Sequence, residues 1–255
     1  MGRLRRSSLY SVAAVVAFVI LWQLATLGTD PTLFPPPTTV ADAAVELISN
    51  GTLGSAILIS LQRVFLGWIL GSVIAIPLGI LAGTSRVARA IVDPFIHFFR
   101  FVPALALVSV FILWFGIGEA SKVNLVAYSA AFIVMVNTAS GAASVHPDKL
   151  NAARSMGAGR VTLLRAVVFP ATVPHIFTGM RLALANAFLV IVAAEALATQ
   201  NGIGFLIWNA RTYFRTDQIF VGILCFGILG FIVDRLWKRI GSTFLRRYLF
   251  SAGGY

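Results

Sequence analysis

One cysteine, three histidines and nine acidic side chains in 255 residues leave this sequence short of the groups that active-site chemistry uses. Cys225 stands alone in an apolar run, which excludes an internal disulfide, a paired-thiol metal knuckle and a thiol redox couple. His97, His146 and His175 have no metal-ligand spacing, no HExxH occurs and no glycine-rich nucleotide loop is present, so neither a metal nor a catalytic residue is expected. Charge is scarce altogether, with Asp, Glu, Lys and Arg making up 11% of the chain. The formal net charge of +11 raises nucleic acid as a partner, yet so few charged residues leave no broad basic face to track phosphates. What is plentiful is hydrocarbon. Hydrophobic residues reach 58% and mean hydropathy +0.89, far outside the range of soluble domains, so the chain reads as one membrane domain over 1–255 embedded in a lipid bilayer.

A bilayer core takes roughly 20 apolar residues per helix. Leu9 to Leu27, Val64 to Ala82, Phe101 to Gly118 and Val123 to Val145 contain no charged side chain. A fifth apolar run carries Arg181 and Glu195, and a sixth is flanked by Arg235, Lys238 and Arg239, whose long stems can snorkel. The reading is an all-α membrane protein of six spans, at about 9–27, 57–82, 91–117, 122–145, 173–198 and 217–236, with a loop at 148–170. The first run follows Arg3, Arg5 and Arg6 as a secretory signal does, but it is longer than a usual signal core and no small-residue cleavage site closes it.

Basic residues gather before the first span, at Arg86 and Arg89, at Lys149 to Arg165 and from Arg235 to Arg247. Those are both termini and alternate connections, which places them in the cytoplasm. The first outer connection opens with proline-rich chain. A short amphipathic helix is then expected from Thr38 or Thr39, with Ala41, Val45 and Ile48 on one face.

The most distinctive loop is "HPDKLNAARSMGAGRVTLLRAVVFP". Pro147 and Asp148 suit the first turn of a helix. Leu150, Ala153 and Gly157 share one smooth face, Gly157 and Gly159 permit a reversal, and Val161, Leu164 and Val168 rebuild an apolar stripe. The result is helix, turn, helix. Either this hairpin rests on anionic headgroups, or its small-residue face docks into a groove on a cytosolic protein.

The stretch resembles the cytoplasmic EAA loop of permease subunits in bacterial ATP-binding-cassette importers. Ala152 and Ala153 fill the paired alanines, Gly157 the glycine, and Val167, Phe169 and Pro170 the apolar and proline positions nine residues on, while Asn151 replaces the family glutamate. "SLQRVFLGW", "LWFGIGEASK", "TGMRLALANAF" and "AAEALATQNGIGFLIWNA" are similar to the nitrate, sulfonate, taurine and bicarbonate branch. The resemblance implies the type I importer permease fold. It also implies that Asn151, Ala152, Ala153, Arg154, Ser155 and Met156, the turn Gly157, Ala158, Gly159, and then Arg160 and Pro170 couple the permease to an ATPase. The implied partners are a second copy of the chain, a cytosolic ATPase dimer that carries the ATP and magnesium, and an external solute-binding protein. No cofactor is expected on this chain, and the implied setting is the bacterial inner membrane.

Polar residues inside spans are costly and become functional candidates. Arg100, bracketed by Pro94 and Pro103, either lines a pathway or satisfies carbonyls freed by the prolines. Asn137 and Asn186 are candidates for the pathway or for bridging helices, and Trp114 and Trp208 for an outer gate. Arg63 and Glu195, near the outer ends of their spans, either pair with one another or contact solute, and Arg181 is read as structural. A small anionic or zwitterionic solute is compatible with so few acids. A secondary transporter or a channel subunit without an ATPase is the alternative; the first calls for paired intramembrane acids, of which only Glu195 is present.

Overall fold

The computed structural model describes residues 2–244. Arg246 and Arg247 of the terminal basic cluster lie outside them. Among the described residues eleven α-helices follow one another: α1 Gly2–Ala25, α2 Pro37–Ser49, α3 Thr52–Thr84, α4 Arg86–Phe99, α5 Val108–Phe115, α6 Glu119–Ala143, α7 Pro147–Ser155, α8 Arg160–Leu163, α9 Phe169–Ala198, α10 Ile203–Thr212 and α11 Thr216–Phe244. A 3₁₀ turn, Ala104–Leu107, leads into α5, and a π turn, Leu164–Val168, joins α8 to α9.

Among the described residues four stretches are individually long and apolar enough to cross a membrane: Thr52–Thr84, Glu119–Ala143, the α8–α9 run Arg160–Leu197, and Thr216–Thr243. The expected span 91–117 is not one helix. It is divided between α4 and α5, which bend by 86° across the break and pass the length test only as a pair. Pro103 supplies the cause: it has no amide hydrogen to continue the ladder, and it caps the 3₁₀ turn in extended conformation. The apolar part of α1, Val12–Ala25, is shorter than the four.

Helices α3, α6 and α9 form the core, where Val64, Ala75, Val126, Ala130, Val134, Ala183, Ala187 and Ile191 are buried. In hydrocarbon no hydrophobic force drives helices together, so close packing must do it. A stripe of glycines supplies the closeness. A Cβ on Gly67 would fall 2.6 Å from Val126 Cβ, and one on Gly79 2.7 Å from Thr138 Cβ, so α3 meets α6 nearly backbone to backbone.

Helix α2 starts one residue before the expected range, at Pro37. The face that seats on the bundle is Val40, Ala43 and Leu47, packed with Leu53, Leu206 and Val221. Ala41, Val45 and Ile48 do share a face, but it is the exposed one. The Trp22 indole N–H donates to the Pro35 carbonyl at 3.2 Å, and its ring packs on Phe220, tying α1 to α11.

Candidate transport pathway and coupling turn

Helix α7 opens as its sequence suggests, with Pro147 in the first turn and the His146 side chain accepting from the Asp148 amide. Its end is set by Gly157, whose φ of +82° is a conformation that a side chain penalises. Gly159 has an ordinary φ of −71° and serves as the residue before α8, so only one of the two glycines is needed for the reversal. Ala153 alone of Asn151–Arg160 is buried. Asn151, Ala152, Arg154, Ser155, Met156 and Arg160 are exposed, Met156 at 82%. The Asn151 carboxamide oxygen accepts from Arg154 Nη1 at 3.1 Å, so this asparagine pairs within its own helix. Pro170 lies inside α9, just beyond the π turn, where its missing amide hydrogen falls beside the wider i→i+5 pattern.

The break between α4 and α5 opens a cavity of about 530 Å³ against α6 and α9. Arg100, Asn137 and Asn186, three of the sequence candidates, line it together with Phe99, Pro103, Tyr128, Ser129 and Phe132. Arg100 does not repair the break. Its guanidinium lies over the Phe101 ring at 4.6 Å, and it is Tyr128 whose hydroxyl donates to the Phe99 carbonyl, at 3.1 Å. Asn137 stands where α6 meets α9 closely, although the hydrogen bond of its amide stays within α6. Its amide donates to Ile133 of its own helix at 2.8 Å while its Cβ packs on Gly179.

A second cavity of about 270 Å³ adjoins the first, sharing Val136. Arg89, Asp93 and His97 of α4 line it opposite Ala139, Ser140 and Ala143 of α6. These three recur four residues apart, a helical stripe of ionisable side chains that continues to Arg100. The sequence reading missed Asp93 and His97. Their i, i+4 spacing on α4 is the signal that was available.

Glu195 and Trp114 do not line either cavity. Trp114 is exposed on α5, packed on Phe111, and Trp208 is exposed on α10 beneath the Arg211 guanidinium. Glu195 is wholly buried and pairs with Arg63 at 2.8 Å. Arg63 also grips Glu119 through Nε and Nη2, both at 2.6 Å, and donates to the Asn201 carbonyl. The Ser60 hydroxyl donates to Glu195 and accepts from the Ile203 amide, while the Gly204 amide donates to Glu195 at 2.9 Å. The cluster joins α3, α6 and α9 to the start of α10. Of the two alternatives left open for Arg63 and Glu195, the structure shows the pair. Arg181 is also paired, with Asp234 of α11 at 2.5 Å, and Asp234 takes Lys238 as a second partner.

A bundle of apolar helices with a broken helix, a largely apolar cavity beside the break that carries a few polar side chains, and an exposed helix–turn–helix has the form of a membrane permease. Residues 75–244 match the family described as the binding-protein-dependent transport system inner membrane component, and the chain belongs to that family. A probable ABC transporter permease protein of Brucella melitensis is 39% identical over 84% of this chain and 87% of its own length. A putative aliphatic sulfonates transport permease protein of Bacillus subtilis is 35% identical over 96% and 90%. The taurine transport system permease protein of Escherichia coli is 34% identical over 86% and 82%. Among solved structures, a chain of an amino acid ABC transporter crystallised with histidines superposes with a TM-score of 0.61 at 18% identity, covering 80% of this chain and 97% of that one, which shows a shared fold. The protein is thus an inner-membrane permease subunit of an ABC importer, a transport subunit whose ATPase is a separate chain.

Proposed function

We propose that this permease passes a small anionic or zwitterionic solute, of the kind the sulfonate and taurine relatives are named for, from an external binding protein to the cytoplasm. The single observation that supports this most is the cavity at the α4–α5 break, which has an arginine and two carboxamides in its lining and no carboxylate. Two copies of the chain enclose the path along a twofold axis, and both termini face the cytoplasm, in keeping with the basic residues there.

Force enters at the turn between α7 and α8. An exposed, glycine-hinged helix pair can be wedged into a partner ATPase, which holds the ATP and magnesium, and can transmit its closure without any catalytic side chain of its own. The turn is well suited to a test, because a Cβ on Gly157 meets no atom within 4 Å of its own chain. A bulky residue there strains the turn locally and otherwise protrudes toward a partner. In proteoliposomes holding the permease, its ATPase and its binding protein, Gly157→Trp is expected to abolish ATP-dependent uptake with the permease still folded. Undiminished uptake together with unchanged ATPase binding would overturn the coupling role.

A further inference from the structure

Between α9 and α11 runs a groove of about 180 Å³ with the ion pair of Arg181 and Asp234 at one end. Its α9 wall is Leu184, Ala185 and Phe188, on the same helical face as Arg181, and its α11 wall is Gly227, Gly230 and Phe231, on the same face as Asp234. The edge contact of Phe188 with Phe226, at 6.4 Å between ring centroids, stands at the other end. A Cβ on Gly227 or Gly230 meets no atom within 4 Å, so the two glycines hold the slot open. The slot is apolar along its length and ionic at its mouth.

Charge at that mouth is one-sided. Asp234 answers both Arg181, through Nε and Nη2, and Lys238, at 2.9 Å. Arg235 adds its guanidinium over the Phe231 ring, at 5.5 Å from the ring centre, so three cations stand around the one carboxylate that lines the groove among the described residues. The side chains of Arg181 and Lys238 are 40% and 48% exposed, which leaves their remaining N–H groups within reach of an anion from outside. The rest of the slot excludes water, because Leu184, Phe188 and Phe231 offer it no polar partner and apolar cavities stay dry.

We propose that this groove binds an anionic phospholipid, its phosphate resting on Arg181, Arg235 and Lys238 and an acyl chain lying along Gly227 and Gly230. Basic pockets between membrane helices suit such head groups, and guanidinium suits phosphate. The shape selects a lipid over other occupants. A free phosphate leaves the apolar length empty, and a helix of a second copy, about 10 Å across with its side chains, is too wide for a slot of this volume. The bound lipid joins α9 to α11 at a level where the two helices otherwise meet through the Arg181–Asp234 pair. This inference goes beyond the transport reading and depends on neither the solute nor the direction of transport.

The permease–ATPase complex in detergent, without nucleotide or solute, is titrated with dioleoyl phosphatidylglycerol and with dioleoyl phosphatidylethanolamine, and bound lipid is counted by native mass spectrometry. Phosphatidylglycerol is expected to bind saturably and the more tightly of the two. Each cation near a membrane surface favours an anionic lipid roughly fivefold, so Arg235→Gln combined with Lys238→Gln is expected to weaken phosphatidylglycerol about 25-fold and to leave phosphatidylethanolamine unchanged. Both side chains are exposed and Asp234 keeps Arg181, so the fold is retained. Gly230→Leu fills the slot from the other side and is expected to weaken phosphatidylglycerol with the head-group cations intact. Arg86→Gln, at the start of α4, removes an exposed basic residue elsewhere and is expected to bind as the wild type does. Equal affinity of the wild type for the two lipids overturns the site. So does a loss in Arg86→Gln as large as in the double variant, or wild-type binding in Gly230→Leu.

Discussion

Arg63 and Glu195 meet at 2.8 Å although 132 residues separate them, and their side chains are 1% and 0% exposed. A buried pair of this kind is held by its geometry and its extra hydrogen bonds, and removing one member strands the other charge in a low dielectric. Glu195→Ala or Arg63→Ala is therefore expected to cost about 3–5 kcal/mol. Glu119, 62% exposed, leaves Arg63 still paired when it is removed, so Glu119→Ala is expected to cost less, about 1–2 kcal/mol. Thermal unfolding of the three variants in one detergent orders them, and the reverse order refutes a buried clamp centred on Glu195.

Gly202 has a φ of +101°, and a Cβ added there would meet the Glu195 carboxylate. Gly51, with φ of +76°, precedes α3 in open space. Both lose when replaced by alanine, Gly51 by the left-handed backbone penalty of about 1 kcal/mol and Gly202 by that plus a displaced carboxylate. Gly202→Ala is expected to lower the melting temperature well beyond Gly51→Ala. Equal shifts mean that the cluster yields readily.

The contact of α3 with α6 rests on small residues, and Gly71 faces the Ala127 backbone directly. Gly71→Leu is expected to abolish the monodisperse peak in detergent chromatography, because backbone cannot step aside. Gly230 on α11 has nothing within 4 Å. Gly230→Leu is expected to elute as wild type with stability within about 0.5 kcal/mol, and loss of both proteins would point to a general intolerance of bulk in place of the stripe.

Tyr128→Phe removes one hydrogen bond, to the Phe99 carbonyl at the helix break, and leaves the ring packing against Phe99 and Phe132. The expected cost is about 1 kcal/mol in chemical or thermal unfolding. No change at all would mean that the freed carbonyl is satisfied another way.

The apolar runs were legible because a helix in hydrocarbon has to be apolar throughout, and the turn at Gly157 because glycine spacing marks a backbone that side chains resist. Arg63 and Glu195 were legible as possible partners from their shared depth. Glu119 as the second acid was not, since only the fold brings it back across 56 residues to the guanidinium. Asp234 likewise escaped notice at the end of an apolar run, and Arg181 found it there. The Asp93–His97 stripe was hidden for a different reason. A span read straight through 91–117 puts Asp93 and His97 on one face by their i, i+4 spacing, but it begins after Arg89 and gives that face no cavity to line, which the packing of α4 against α6 supplies. Tyr128 took the repair role that proximity in sequence suggested for Arg100, which left the arginine free for the cavity.

From Arg160 to Leu197 the chain is one helical run of 38 residues, at about 1.5 Å per residue nearly 57 Å of rod, interrupted only by the π turn. One tip carries the exposed hinge at Gly157, and near the other sits Glu195, locked to three neighbours. If the proposed coupling tilts the first end, the rod carries that tilt past the π turn toward the second, and the knot of charges there is the part of the bundle that it reaches.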